Sequence, residues 1–427
     1  MSLLLLGGYL VARATLGALL NPPLNGPDEA GHVQYLRTLL ETGGRHISGV
    51  EARQPPTYYL LAALPWLAVQ GAGAVTQLFF VRLLGGLCGL ATLVAAWTAA
   101  TTLWPRRPSL ALATAAVATL APGYLFLLAS ANNDPLAVAF ASLALVAAIH
   151  LWRSAAARCW LVVWLAASVA AVATKLTAAP LALALGGTLL VRRRRAVFRP
   201  RWTRVAAGAA ALALLVGYGA LLSRSPTSSL AAAAARFWLP ALLRAPRAYV
   251  ASGGLAESFR TFWYGYDYAV RWPRTLEVAV AGSAAVITLI ALVGLALDQV
   301  HSARRTAPNG RECRSSCSST SARPVTRLPW LLWATAGAQV ALVVGRYGLG
   351  DFLNIEMGGA GQAKAFFPAL VPLALLFVAG LAAAARRLRL RDERWLALGV
   401  FGWLVGLDAI SLAVTTWQQY RWWPGGP

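Results

Sequence analysis

Apolar runs of about twenty residues, separated by short arginine-bearing stretches, decide what this chain can become. Such a run rises about 30 Å as a helix, the thickness of a bilayer's hydrocarbon core. Water is absent there, so the backbone must satisfy its own hydrogen bonds, and a helix does this within one segment. Only 12% of the 427 residues are charged, against about 25% in soluble domains. The chain therefore reads as one integral membrane domain, residues 1–427, of all-α class. Its net charge of +23 does not point to nucleic acid. The arginines sit between apolar runs, where they set topology, and no soluble fold remains to present a basic face.

The runs give eleven spans with the N-terminus inside: 3–20, 78–103, 110–128, 136–152, a hairpin over 160–191, 205–222, 278–297, 328–345, 365–385 and 395–416. The stretch 160–191 would be about 48 Å long as a single helix. It is basic at both ends, so a hairpin with Lys175 at its outer tip fits best. The first run lacks a basic start and a cleavage site and reads as a retained span. Residues 223–275 form a long outer loop. Residues 298–327, rich in Ser and Arg, read as a disordered inner loop. With this topology ten of the 15 acids fall outside and four inside. Acids carry little topological weight, so their gathering suggests a polar site at the outer face.

The first outer loop, 21–77, holds Asp28, Glu29, Glu41 and Glu51. Pro27 is expected to open a helix, with Asp28 and Glu29 in its first turn and Gly43–Gly44 ending it. Asp28 and His32 then lie one turn apart, and the helix suits the membrane interface. The run 55–70 is short and carries Pro65. The arginines at 106 and 107 leave room for one crossing only, so this run is expected not to cross. Gly85 and Gly89 form a small-xxx-small helix contact. Arg13, Arg82 and Asp408 are charges inside spans, and a cluster of the three would indicate a transporter.

Several segments, taken in order, resemble the GT-C glycosyltransferase superfamily. They are PDEAGH (Asp28, Glu29, His32), QPPTYY (Gln54, Tyr58), NNDP (Asp134), ATKLTAAPL (Lys175) and FWYGYDY (Tyr266, Asp267). The closest resemblance is to a group of bacterial membrane proteins whose first outer loop reads PDE-x-x-H. One segment departs. Where that group has Gln-Gly-Arg-Tyr before Phe-Pro, this chain has GQAKAFFP, with Gln362 followed by Lys364 and Ala365. Lysine keeps the charge and loses arginine's two-pronged grip.

The resemblance implies an enzyme of the cell inner membrane with its active site on the extracytoplasmic face. It would move a sugar, with inversion, from a polyprenyl-phosphate carrier to a glycan, lipid or protein acceptor. Inverting transfer needs a carboxylate to take the acceptor's proton and positive charge at the leaving phosphate. Asp28 is the expected base, with Glu29 and His32 as helpers. Lys175, Lys364 and Arg346 are the expected phosphate contacts, and Lys175 in its apolar hairpin would take its counter-charge from the phosphate. Gln54, Tyr58, Asp134, Tyr266, Asp267 and Gln362 are candidate substrate contacts. No metal motif stands out, yet Asp28, Glu29, His32 and Asp134 together offer ligands to Mg or Mn. The alternatives are a transporter or flippase of a lipid-linked or polar solute, and a protein that kept this fold without activity.

Overall fold

The computed structural model describes residues 2–153, 158–197, 245–264, 272–306, 330–352, 363–390 and 392–421. These residues are helical, with no strand among them, and the protein is a multi-pass α-helical membrane protein. Helix α1 (Leu3–Leu20) starts under the Ser2 hydroxyl, which accepts the Leu5 N–H at 3.3 Å. It stops before Pro22 and Pro23, which have no N–H to continue the ladder. Two short helices, α2 (Glu29–Thr42) and α3 (Thr57–Ala68), follow in the first loop. At 12 residues α3 rises about 18 Å, too little to cross.

Next come α4 (Ala74–Leu103), α5 (Pro108–Leu120), α6 (Pro122–Leu128) and α7 (Asp134–Arg153). The expected straight span 110–128 is bent by 60° between α5 and α6. Pro122 removes the donor that would have joined them. Helices α8 (Arg158–Thr174) and α9 (Ala179–Val197) flank Lys175, whose backbone is extended. A Cβ on Gly186 would lie 3.4 Å from the Trp164 ring. These two residues are equally distant from Lys175 in sequence, so the chain reverses there, as the hairpin reading requires.

Further along come α10 (Gly254–Trp263), α11 (Arg274–Thr306), α12 (Trp330–Phe352), α13 (Leu370–Arg387) and α14 (Glu393–Arg421). A 3-10 stretch, Ala363–Ala369, leads into α13. Among the described residues six helices are long and apolar enough to cross a membrane, and the bent α5–α6 pair, counted as one span, gives seven. Shorter apolar helices cover Cys159–Thr174, Leu176–Leu189 and Trp330–Gly345. The expected span 205–222 lies outside the described residues. Helix α11 runs on to Thr306 and so enters the expected loop 298–327, most of which also lies outside them.

Helix α7 and the stretch Ala363–Arg387, which ends in α13, are central, with 83% and 78% of their most apolar part buried, against 33% for α1 and 28% for α11. Small residues allow the close approaches. A Cβ on Gly85 would lie 2.3 Å from the Leu128 carbonyl oxygen, and one on Gly89 2.6 Å from the Leu128 side chain. Gly85→Ala is expected to cost about 1–3 kcal/mol, read as a lower unfolding temperature in detergent. Gly8→Ala, where a Cβ meets nothing within 4 Å, should change stability by about 0.5 kcal/mol or less.

Ion pairs mark the two ends of the bundle. Beyond the C-terminal end of α4, Arg107 pairs with Glu393 at 3.1 Å, and Arg386 pairs with Asp298 at 3.5 Å. Near its N-terminal end lie the pairs that build the site described next. Between the ends, Arg13 of α1 donates to Asp408 of α14 at 2.7 Å, and the Tyr9 hydroxyl donates to the same oxygen at 3.0 Å. Cys88 is buried and free, Cys159 is exposed and free, and Cys313 and Cys317 lie outside the described residues.

Candidate active site

The loop between α1 and α2 is held from beneath by one arginine. Arg82 donates through Nε to Glu29 Oε1 at 2.9 Å and through Nη2 to Glu29 Oε2 at 2.7 Å. Its remaining donors reach the carbonyl oxygens of Ala18, Asn21 and Pro22 at 2.9, 2.6 and 2.9 Å. All five guanidinium N–H groups are thereby used. Glu29 is fully buried and also accepts the Ala131 N–H at 2.7 Å and the Gly26 N–H at 3.3 Å. Its carboxylate is committed to holding the loop and does not share an opening with Asp28.

Asp28 is different. The helix begins at Glu29, one residue past Asp28 and two past the expected start at Pro27, and Asp28 caps it in the left-handed region at φ 58°. That conformation is unfavourable for a side-chain-bearing residue, and Asp and Asn tolerate it best. No capping hydrogen bond uses its carboxylate. The side chain, 41% exposed, instead pairs through Oδ2 with the Lys364 ammonium. Burial raises the carboxyl's pKa, but the charge and hydrogen bond of Lys364, followed by the charge of Lys175, act the other way, and it lies below the ordinary value. Asp28 is therefore ionised at neutral pH.

His32 and Glu51 complete this side. His32 is buried, and its Nδ1 lies 2.8 Å from the Tyr59 hydroxyl. The Tyr58 and Tyr59 rings pack around it at 6.0 and 5.9 Å. Its Nε2 has no hydrogen-bond partner among the described residues. Burial, with Lys175 and Lys364 nearby, pushes its pKa down to about 3, so the ring is neutral. Glu51, in the 3-10 turn Val50–Arg53, has its carboxyl raised by burial and by Asp28. One ligand atom from each of Asp28, His32 and Glu51 falls within 4.8 Å of the others. Opposite ligands of one divalent cation lie about 4–5 Å apart, so this trio fits such an ion. The expected set with Glu29 and Asp134 does not form: Glu29 is spent on Arg82, and Asp134 on a lysine.

That lysine is Lys175, whose Nζ lies 2.7 Å from Asp134 Oδ1, both residues buried. The expectation that Lys175 awaits its counter-charge is corrected, because Asp134 at the start of α7 supplies it. Asn132 joins the loops. Its amide donates to the Pro27 carbonyl at 2.9 Å, and its oxygen accepts the Asp134 N–H at 2.8 Å. Asn133 donates to Gln54 at 3.3 Å. Tyr58 is buried against His32. Thus Asp28, His32, Gln54, Asp134, Lys175 and Lys364 come to one end of the bundle. Tyr266, Asp267 and Gln362 lie outside the described residues. Arg346 lies in the helical backbone of α12, with its side chain outside them.

Glu51, Asn132 and Arg82 were not among the sequence candidates. The gathered acids pointed toward Glu51, and an arginine within a span pointed toward Arg82. The three-charge cluster of a transporter is absent, since Arg82 spends its donors on Glu29 and carbonyls while Arg13 pairs with Asp408.

No known protein family matches the sequence, and no curated protein matches it. Among solved structures, ArnT from Cupriavidus metallidurans bound to undecaprenyl phosphate is similar at 16% identity and TM-score 0.42, over 90% of this chain and 77% of that one. The apo state of the same protein gives 17% identity and TM-score 0.37, over 89% and 77%. At these scores the functional reading rests on the site's own geometry.

Proposed function

We propose that this protein is a GT-C-type glycosyltransferase that moves a sugar from a polyprenyl phosphate to an acceptor hydroxyl at the extracytoplasmic membrane face. One observation carries the proposal: an ionised, half-open carboxylate, Asp28, faces a mobile type of cation, Lys364, with a second ammonium, Lys175, close enough to act on its charge. The donor phosphate draws Lys364 away from Asp28. The freed carboxylate takes the acceptor hydroxyl's proton as that oxygen attacks the anomeric carbon from the face opposite the phosphate. The bond from that carbon to the phosphate oxygen breaks, its electron pair leaves with the polyprenyl phosphate, and Lys364 and Lys175 offset the growing charge. The configuration inverts. Glu29 acts as a holder of the loop, through Arg82. The test is mass spectrometry of polyprenyl-linked sugars and surface glycans with and without the gene. Identical profiles would sink the proposal.

The unpartnered Nε2 of His32 favours one addition, a divalent cation held by Asp28, His32 and Glu51. Such an ion would supply positive charge at the phosphate. Neutral His32 is the form that binds metal. Chelation is then expected to lower transfer at least about tenfold, and Mn or Mg should restore it. Activity unchanged by chelation would leave the acid–base reading alone.

A further inference from the structure

Both lysines of the site sit just outside the α-helices. Lys175 is extended between α8 and the 3-10 turn Leu176–Ala178, and Lys364 lies in the 3-10 stretch Ala363–Ala369. Each segment has its own local hydrogen bonds, the Lys175 N–H closing on the Ala171 carbonyl at 2.9 Å, but local bonds do not set how far apart the two ammonium groups stand. One side chain touches both backbones. Gln339 of α12 is fully buried, and its Nε2 donates to the Thr177 carbonyl at 3.0 Å and to the Ala365 carbonyl at 2.6 Å. Thr177 is two residues past Lys175, and Ala365 immediately follows Lys364.

The chemistry suits an amide. Two hydrogens on one uncharged nitrogen can serve two carbonyls, whereas a hydroxyl has only one hydrogen. A lysine or arginine here would add a third positive charge beside two others. The amide's orientation is also fixed, since a flipped side chain would set its oxygen against two carbonyl oxygens. We propose that Gln339 is a positioning residue that straps the two lysine-bearing segments together and thereby sets the width of the seat for the donor's phosphate. This rests on the glycosyltransferase reading above.

The test uses full-length protein in nanodiscs, titrated with farnesyl phosphate as a short polyprenyl phosphate and with farnesol as its uncharged match. Gln339→Met keeps length and volume and loses both donors. It is expected to weaken farnesyl phosphate about tenfold and leave farnesol unchanged, whereas general structural damage would weaken both. In a Lys364→Met background the same change should matter less than about twofold, because coupled residues are non-additive. Should Gln339→Met fail to insert, Gln339→Asn, one methylene short and able to reach one carbonyl, takes its place with the same expected pattern. If Lys175→Met and Lys364→Met leave farnesyl phosphate affinity intact, the phosphate-seat reading itself falls. If they weaken it while the Gln339 change does nothing, or adds to theirs in full, the strap is overturned and the glycosyltransferase reading stands.

Discussion

Asp28→Asn is expected to lower sugar transfer by about 10²–10⁴-fold while the protein inserts and folds normally. Asparagine keeps the shape of the side chain and loses the proton acceptor. It also suits the left-handed backbone at φ 58°, since Asn and Asp are the side-chain-bearing residues most at home there. The partner left behind, Lys364, is 17% exposed, so its ammonium keeps some access to water and to the asparagine's oxygen. In the presence of a chelator, phosphate binding should hold or tighten, because Lys364 loses its resting partner. The signature is a collapsed kcat with undiminished affinity for farnesyl phosphate, measured on purified protein with a polyprenyl-linked sugar. Full activity in this variant would remove Asp28 from the chemistry. Asp28→Ala is a poorer probe, because it adds backbone strain to the chemical change.

The neighbouring acid should behave in the opposite way. Arg82→Met strands the buried Glu29 carboxylate and takes the donor from three backbone carbonyls, and breaking a buried pair on one side costs about 3–5 kcal/mol. Whole-protein stability is commonly about 5–15 kcal/mol, so this single change consumes a large part of it. A sharply lower unfolding temperature and poor membrane yield are the expected results. Glu29→Met combined with Arg82→Met should recover part of that stability, since neither charge is then left alone. Activity should stay low in the double variant, because the carbonyls of Ala18, Asn21 and Pro22 no longer share one anchor. Wild-type stability in Arg82→Met would show that the loop has another support.

Hydropathy made the helical class and most spans legible, because a bilayer leaves a long apolar run little choice of structure. The reversal at Lys175 was legible for the same reason: the run was too long for one crossing and basic at both ends. Partner choice was not legible. Glu29 and Arg82 are 53 positions apart in the chain, and nothing in either segment announces the other. The reading of Glu29 as a helper of Asp28 did not show that a helix start turns neighbours in different directions. Asp28 was left at the opening and Glu29 was carried into the core. Lys175 was expected to lack a counter-ion because Asp134 reads equally well as a turn residue. The bend at Pro122 did have a signal in its proline. Gln339 had a fainter one, as a lone amide within an apolar run.

Every ammonium at the site already has an acid against it: Lys364 has Asp28, Lys175 has Asp134, and Glu51 stands beside them. Paired in this way, the charges of the described residues cast little field beyond the cleft's own mouth and steer an anionic headgroup weakly from afar. A lipid phosphate must arrive by lateral diffusion and trade places with a carboxylate on contact. Its capture rate should therefore respond weakly to ionic strength, unlike that of a receptor ringed with free cations.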